Sequence, residues 1–147
     1  MGDGPLSDPL AEQYERWPYP SPLRCLDHPI LEEARIPRRR YWPRGGPDHP
    51  RVLVAGCGTR EAALVAYYNP EARVTGIDVS ETSLRHERRL KADYGLTNLE
   101  LHRLSLERAS HLGAVYDLVH CHGVLHHLES PLEGLKALRG VLDVGGS

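Results

Sequence analysis

Hydrophobic and polar positions divide this chain into two unlike parts. From residue 51 onward apolar residues come in short blocks separated by turn signals, whereas before it they are scattered among prolines. Val52, Leu53, Val54 and Ala55 form a run without polar alternation, the pattern of a strand buried on both faces of a parallel sheet. Gly56 and Gly58 end it, and Ala62, Ala63, Leu64, Val65 and Ala66 are mostly good helix formers, so the glycines mark a strand-to-helix turn. Residues 73–78 read as a second strand ending in Asp78. Residues 80–95 read as a helix capped at Ser80 and stopped at Gly95, with Leu84, Leu90 and Tyr94 turned toward the sheet. Leu99 and Leu101 alternate in a third strand over 99–103, residues 104–112 form a connector with room for a helical turn, and 116–121 give a fourth strand. Ser130, Pro131 and Glu133 then stand in the order of N-cap, first helical residue and capping-box partner, with Leu132, Leu135, Leu138 and Leu142 along one helix face. Strands alternating with helices predict a doubly wound parallel α/β sheet of strand order 3-2-1-4.

Residues 1–50 are expected to be a proline- and aromatic-rich arm, set apart from a core over 51–147. Pro18, Pro20 and Pro22 hold the backbone extended, so Trp17 and Tyr19 are expected as rigid anchors of a segment draped over the domain. The run at 35–44 is the most basic stretch and interleaves Tyr41 and Trp42. It reads either as a solvated linker or as arginines and rings that clamp RNA.

Composition narrows the classes. A chain of 147 residues, 40% hydrophobic and 26% charged, suits one globular domain, and its net charge of -2 gives no field that would gather a polyanion. Apolar runs are too short to span a membrane, and the stretch from Met1 to Leu6 has neither the basic start nor the apolar core of a secretory leader. Cys25, Cys57 and Cys121 have no C-x-x-C spacing, so reduced thiols and a cytoplasmic place are expected.

Candidate chemistry gathers at the strand ends. The turn at 56–58 is expected to leave backbone N–H groups free at the head of a helix, close to any ligand because the glycines lack Cβ atoms. A dinucleotide-binding turn needs a third glycine where this chain has Glu61. Asp78 follows Gly58 by 20 residues, the spacing at which a carboxylate on the neighbouring strand accepts hydrogen bonds from two ribose hydroxyls. His120, His122, His126 and His127 lie within eight residues, yet neither a carboxylate nor a second cysteine nearby in sequence completes a zinc set, and no metal is expected.

The string Val-Ala-Gly-Cys-Gly-Thr from Val54 to Thr59 resembles the first motif of class I, Rossmann-like S-adenosyl-L-methionine-dependent methyltransferases, with Val54 in place of the usual acid and Arg60 in place of the last glycine. Residues 116–135, reading Y-D-L-V-x-C-x-G-V-L-H-H-L-x-x-P-L-x-G-L, are similar to the fourth-strand motif of the same class over a longer stretch, and the arm's Y-E-x-x-P-Y-P-S-P resembles its cofactor lid. The resemblance implies methyl transfer to an unknown acceptor with S-adenosyl-L-methionine as cofactor. It implies a cofactor site of Ala55, Gly56, Cys57, Gly58, Thr59, Asp78, Val79, Ser105, Leu106, His122 and Gly123, with His126 or His127 as candidate bases. The competing readings are a non-catalytic module on a degenerate cofactor fold and, through the basic run, an RNA-associated protein. Because the class continues past the fourth strand, this chain is expected to be a fragment that lacks the C-terminal strands, or to need a partner strand or a second copy over the fourth-strand edge, where Leu118 and Val119 would be unpaired.

Overall fold

The computed structural model describes residues 9–147; the first eight residues of the arm, and with them the reading of the N-terminus, lie outside the described part. In chain order the arm holds helix α1 (Pro9–Arg16), a 3-10 helix at Pro29–Ala34 and α2 (Arg38–Tyr41). The remainder follows as β1 (Arg51–Ala55), α3 (Glu61–Tyr68), β2 (Arg73–Asp78), α4 (Glu81–Tyr94), β3 (Leu99–Arg103), β4 (Leu118–Cys121) and α5 (Pro131–Gly140), with 3-10 helices at Leu106–Leu112 and Leu125–His127. The four strands form one parallel sheet in the order β3-β2-β1-β4, as the sequence pattern predicts.

β1 lies at the centre, and its unalternating run serves both faces. Val52 and Val54 pack with α3, α4 and the arm, while Leu53 and Ala55 pack with Ile77, Leu106, Tyr116, Leu138 and Val141 on the other side. Gly76 on β2 lets α3 come close: a Cβ there would stand 2.7 Å from the Ala62 Cβ. α3 itself is buried nearly all round, from Ala62 through Ala66 and at Tyr68, and a helix apolar on every side needs a cover opposite the sheet. The arm supplies that cover. Leu26, Ile36 and Trp42 join the core. The buried Asn69 accepts the Ile36 N–H through Oδ1 at 2.8 Å and donates to the Ala34 carbonyl at 3.0 Å, while Tyr68 donates its hydroxyl to the Leu26 carbonyl at 2.8 Å. The anchors are therefore Leu26, Ile36 and Trp42 rather than Trp17 and Tyr19, which are 71% and 67% exposed. Proline spacing told where the chain is stiff; it did not tell which ring meets an apolar surface. Trp42, 9% exposed and capped by the Arg38 guanidinium 5.7 Å above its ring, is not free to stack on a base.

α4 starts and stops as its sequence dictates, with the Ser80 hydroxyl accepting the Ser83 N–H and Gly95 in the left-handed region. α5 does not. The Ser130 side chain makes no capping bond, and Glu133, expected to complete a capping box, instead meets Lys136 at 2.8 Å. Its buried face is Gly134 and Leu138, leaving Leu132 and Leu135 exposed. The edge of β4 is also less bare than expected. The Val119 N–H donates to the Ser147 carbonyl and the Ser147 N–H to the Asp117 carbonyl, so Ser147 pairs in parallel sense beside β4. Among the described residues no helix is long and apolar enough to cross a membrane.

Candidate functional site: a cleft at the carboxyl ends of the strands

The carboxyl ends of β1, β2 and β4 open into a cleft of about 590 Å³, a volume suited to a nucleoside-sized ligand. Ala55, Gly56, Cys57, Gly58, Asp78, Val79, Ser105, Leu106, His122 and Gly123 all line it. Thr59 does not: it is fully buried and donates its hydroxyl to the Pro20 carbonyl at 2.5 Å, tying the arm over the turn. His126 and His127 are also outside the lining. Both rings are exposed on the 3-10 helix after β4, and His127 meets Tyr14 of the arm edge-on at 6.1 Å.

The turn bends through Gly56 and Gly58, with φ of 68° and 59°, a region open to glycine at no steric cost. A Cβ on Gly58 would fall 2.7 Å from the Tyr19 carbonyl, so the arm lies directly against the turn. Its N–H groups are not free, contrary to the sequence expectation. Gly56 and Cys57 both donate to the Ile77 carbonyl, Gly58 donates to Asp78 Oδ2 at 2.8 Å, and Ala62 and Ala63 at the head of α3 donate to the two oxygens of Glu87, each at 2.9 Å. A buried side chain from α4 thus occupies the place that an anion takes at other helix N-termini. Burial pushes the Glu87 carboxyl up to about 8 against the pull of those two bonds, and burial, with Glu87 next, pushes the Cys57 thiol well up.

Asp78 holds the tip of β2 to the turn. Oδ2 takes the Gly58 N–H and Oδ1 the Ser80 N–H at 2.9 Å, and burial raises its pKa despite those bonds. Each oxygen accepts one of these bonds and has a second lone pair to offer. The arm closes this end: Glu15 accepts the Glu81 N–H at 2.5 Å and the Thr82 N–H and hydroxyl at the head of α4, and the Thr82 hydroxyl is the leading cause of its lowered pKa.

Across β1, on the β4 side, no carboxylate stands next to the histidines along the chain, but the fold brings one. Glu61 Oε1 lies 3.2 Å from His120 Nε2, an ion-pair distance without hydrogen-bond alignment, and the His120 and His122 rings stand edge to face at 6.4 Å. His120, then burial in the opposite sense, then the charges of His120, His122 and Arg60 set the Glu61 pKa, which is lowered. Among the described residues no three metal-ligating side chains converge. Glu61, Glu87 and Tyr14 were missed in the sequence. Glu87 had a signal, since it falls between Leu84 and Leu90 on the buried face of α4.

A family model described as a methyltransferase domain matches residues 53–147. An uncharacterized protein of Synechococcus sp. is 39% identical over 145 residues, 97% of this chain and 31% of that protein. An uncharacterized methyltransferase of Schizosaccharomyces pombe is 31% identical over 104 residues, 65% of this chain and 37% of that one. This chain therefore spans about a third of the length of these two relatives. Among solved structures, the N-terminal domain of EvdMO1 with SAH bound is 25% identical with a TM-score of 0.64, over 76% of this chain and 45% of that one.

Proposed function

The chain belongs to the methyltransferase domain family, and from that premise we propose that its cleft binds S-adenosyl-L-methionine and presents the methyl group to an acceptor. The observation that carries this reading is the meeting of the glycine turn and Asp78 in one cleft, 2.8 Å apart through the Gly58 N–H. The residues fit the group. Asp78 has acceptor capacity left for ribose hydroxyls, and the apolar side chain of Leu106 and the wall at Val79 and Ser105 suit a flat base. The SAH held by the EvdMO1 domain supports the same choice.

When bound, the cofactor supplies a methyl carbon already made electrophilic by its sulfonium. The work left to the protein is alignment and exclusion of water. Tyr14, Tyr19 and Pro20 of the arm line the cleft and cover the turn, so the arm acts as its roof. Where the acceptor must lose a proton, His122 in the cleft wall takes it in place of the outlying His126 and His127. Three free cysteines suit a reducing compartment, and we place the protein in the cytoplasm. We also propose that the outer edge of β4 beyond Val119 is covered by a partner strand or a second copy.

Isothermal titration with S-adenosylmethionine and S-adenosylhomocysteine tests the binding, and transfer of an isotopically labelled methyl group to a panel of small-molecule and protein acceptors, read by mass spectrometry, tests the activity. Heat of binding with no transfer is the result expected of a non-catalytic module; no binding to either ligand removes the proposal.

A further inference from the structure

The amides of Gly56, Cys57 and Gly58 are spent inside the protein, which shifts the holding of the far end of the cofactor toward side chains. A helix head and glycine loop with free N–H groups would take up a carboxylate by themselves. Here the amides of Gly56, Cys57, Gly58, Glu61, Ala62 and Ala63 all have acceptors inside the protein. Few backbone donors are left at this end of the cleft, and two adjacent charged side chains line it: Arg60 and Glu61. They are also the residues at which the glycine motif breaks off.

Arg60 donates one Nη1 bond to the Ser21 carbonyl at 3.3 Å, while its Nε is enclosed with no partner. Glu61 faces His120 with Oε1 alone, which leaves Oε2 for another cation. Its lowered pKa keeps it charged near neutral pH. Asp78 stands over β2 and Glu61 over β4, on either side of β1, so two strand spacings, about 10 Å, separate the ribose acceptor from this carboxylate. An adenosyl-amino-acid sulfonium whose ribose lies at Asp78 and whose chain crosses β1 brings its tail, with one ammonium and one carboxylate, toward this end of the cleft. Resting on the function proposed above, we infer that Arg60 and Glu61 together form the receptor for this zwitterionic tail, Glu61 accepting from the ammonium and Arg60 donating to the carboxylate.

The sign of the Arg60 effect follows: the guanidinium that replaces a motif glycine strengthens binding of the complete cofactor. The test compares S-adenosylhomocysteine with 5′-methylthioadenosine, which keeps the nucleoside and thioether but has no amino-acid tail. Titration calorimetry on the full chain should show S-adenosylhomocysteine binding more tightly by about tenfold or more, the scale of one to two charge-assisted bonds. Glu61→Gln and, separately, Arg60→Gln should each remove about tenfold of that preference and leave 5′-methylthioadenosine binding unchanged. Two variants are used so that misfolding of one, seen by circular dichroism, leaves the other to decide. Equal binding of the two ligands by the unaltered protein overturns the tail receptor while sparing the cofactor assignment, as does a preference untouched by either substitution. Absence of binding by both ligands overturns the cofactor assignment and the receptor with it.

Discussion

Glu87 makes the stability of this domain depend on pH near neutrality. Its carboxyl is enclosed under the head of α3, and loss of water pushes its pKa up to about 8 from an ordinary 4.5, although both oxygens accept N–H bonds from Ala62 and Ala63. The folded protein holds this proton more tightly than the unfolded chain does. The stabilising contribution is therefore fully present below about pH 4.5 and is lost as the pH rises through about 8. The gap of about 3.5 units, from about 8 less 4.5, is worth on the order of 5 kcal/mol at roughly 1.4 kcal/mol per unit. For a domain of this size that rivals the whole net stability. Glu87→Gln keeps the shape and cannot ionise, but it turns an amide NH2 toward one of the two N–H donors, a constant cost of about 1–3 kcal/mol. Urea denaturation followed by circular dichroism, between about pH 5 and pH 8.5, should show the midpoint of the unaltered protein falling by about 2 M, with the variant nearly level and the two curves crossing. Subtracting the variant removes the slope that Asp78 adds, and Cys57, held well above its ordinary value, keeps its proton in the folded state across this range. Parallel curves would mean that the two N–H bonds and the helix head keep Glu87 ionised throughout, and the reasoning from desolvation would be wrong.

Why one part of this site could be read in the sequence and another could not comes down to how far each contact reaches along the chain. The turn, Asp78 and the end of β4 were legible because strand ends, glycines and a 20-residue interval belong to the βαβ repeat itself, and a parallel sheet brings them together whatever the loops contain. The sheet order followed from the same alternation. Glu87 capping α3 and Glu61 meeting His120 are different. They join residues 24 and 25 apart in the first case and, in the second, the head of α3 to β4, and they depend on how closely α3 sits on the sheet, which the small Gly76 permits and no local pattern encodes. The arm failed for a third reason. Prolines reveal stiffness, but α3 is apolar on all sides, and it is that demand for a second cover that selects Leu26, Ile36 and Trp42. The demand was visible in residues 62–66; what satisfied it was not. The expected capping box failed because Glu133 had Lys136 three residues on, a competing partner on the same exposed face.

Two further outcomes follow from the same contacts. Asp78→Ala should weaken S-adenosylhomocysteine binding roughly 30- to 150-fold, the equivalent of about 2–3 kcal/mol, and lower the melting temperature as well, since the Gly58 and Ser80 amides lose their acceptor. Unchanged affinity in a folded variant, measured by calorimetry, would take ribose recognition away from Asp78. The other outcome concerns Trp42 and separates an arm that completes the core from an arm that awaits a nucleic acid. Trp42 packs its ring over Gly46, where a Cβ would stand 2.6 Å from its Cγ, and beneath the Arg38 guanidinium, whose Nη2 is itself fixed to the Pro47 carbonyl at 2.6 Å. Its truncation leaves a cavity in the cover of α3, so Trp42→Ala should cost about 3–5 kcal/mol by urea denaturation, whereas the exposed Trp17 should tolerate alanine to within about 0.5 kcal/mol. In the variant that retains Trp42 alone, fluorescence should be blue-shifted and resist acrylamide quenching, and adding single-stranded RNA should not change it. Free quenching of Trp42, or an alanine variant as stable as the unaltered protein, would show a ring held out to solvent and would return the basic run to a binding role.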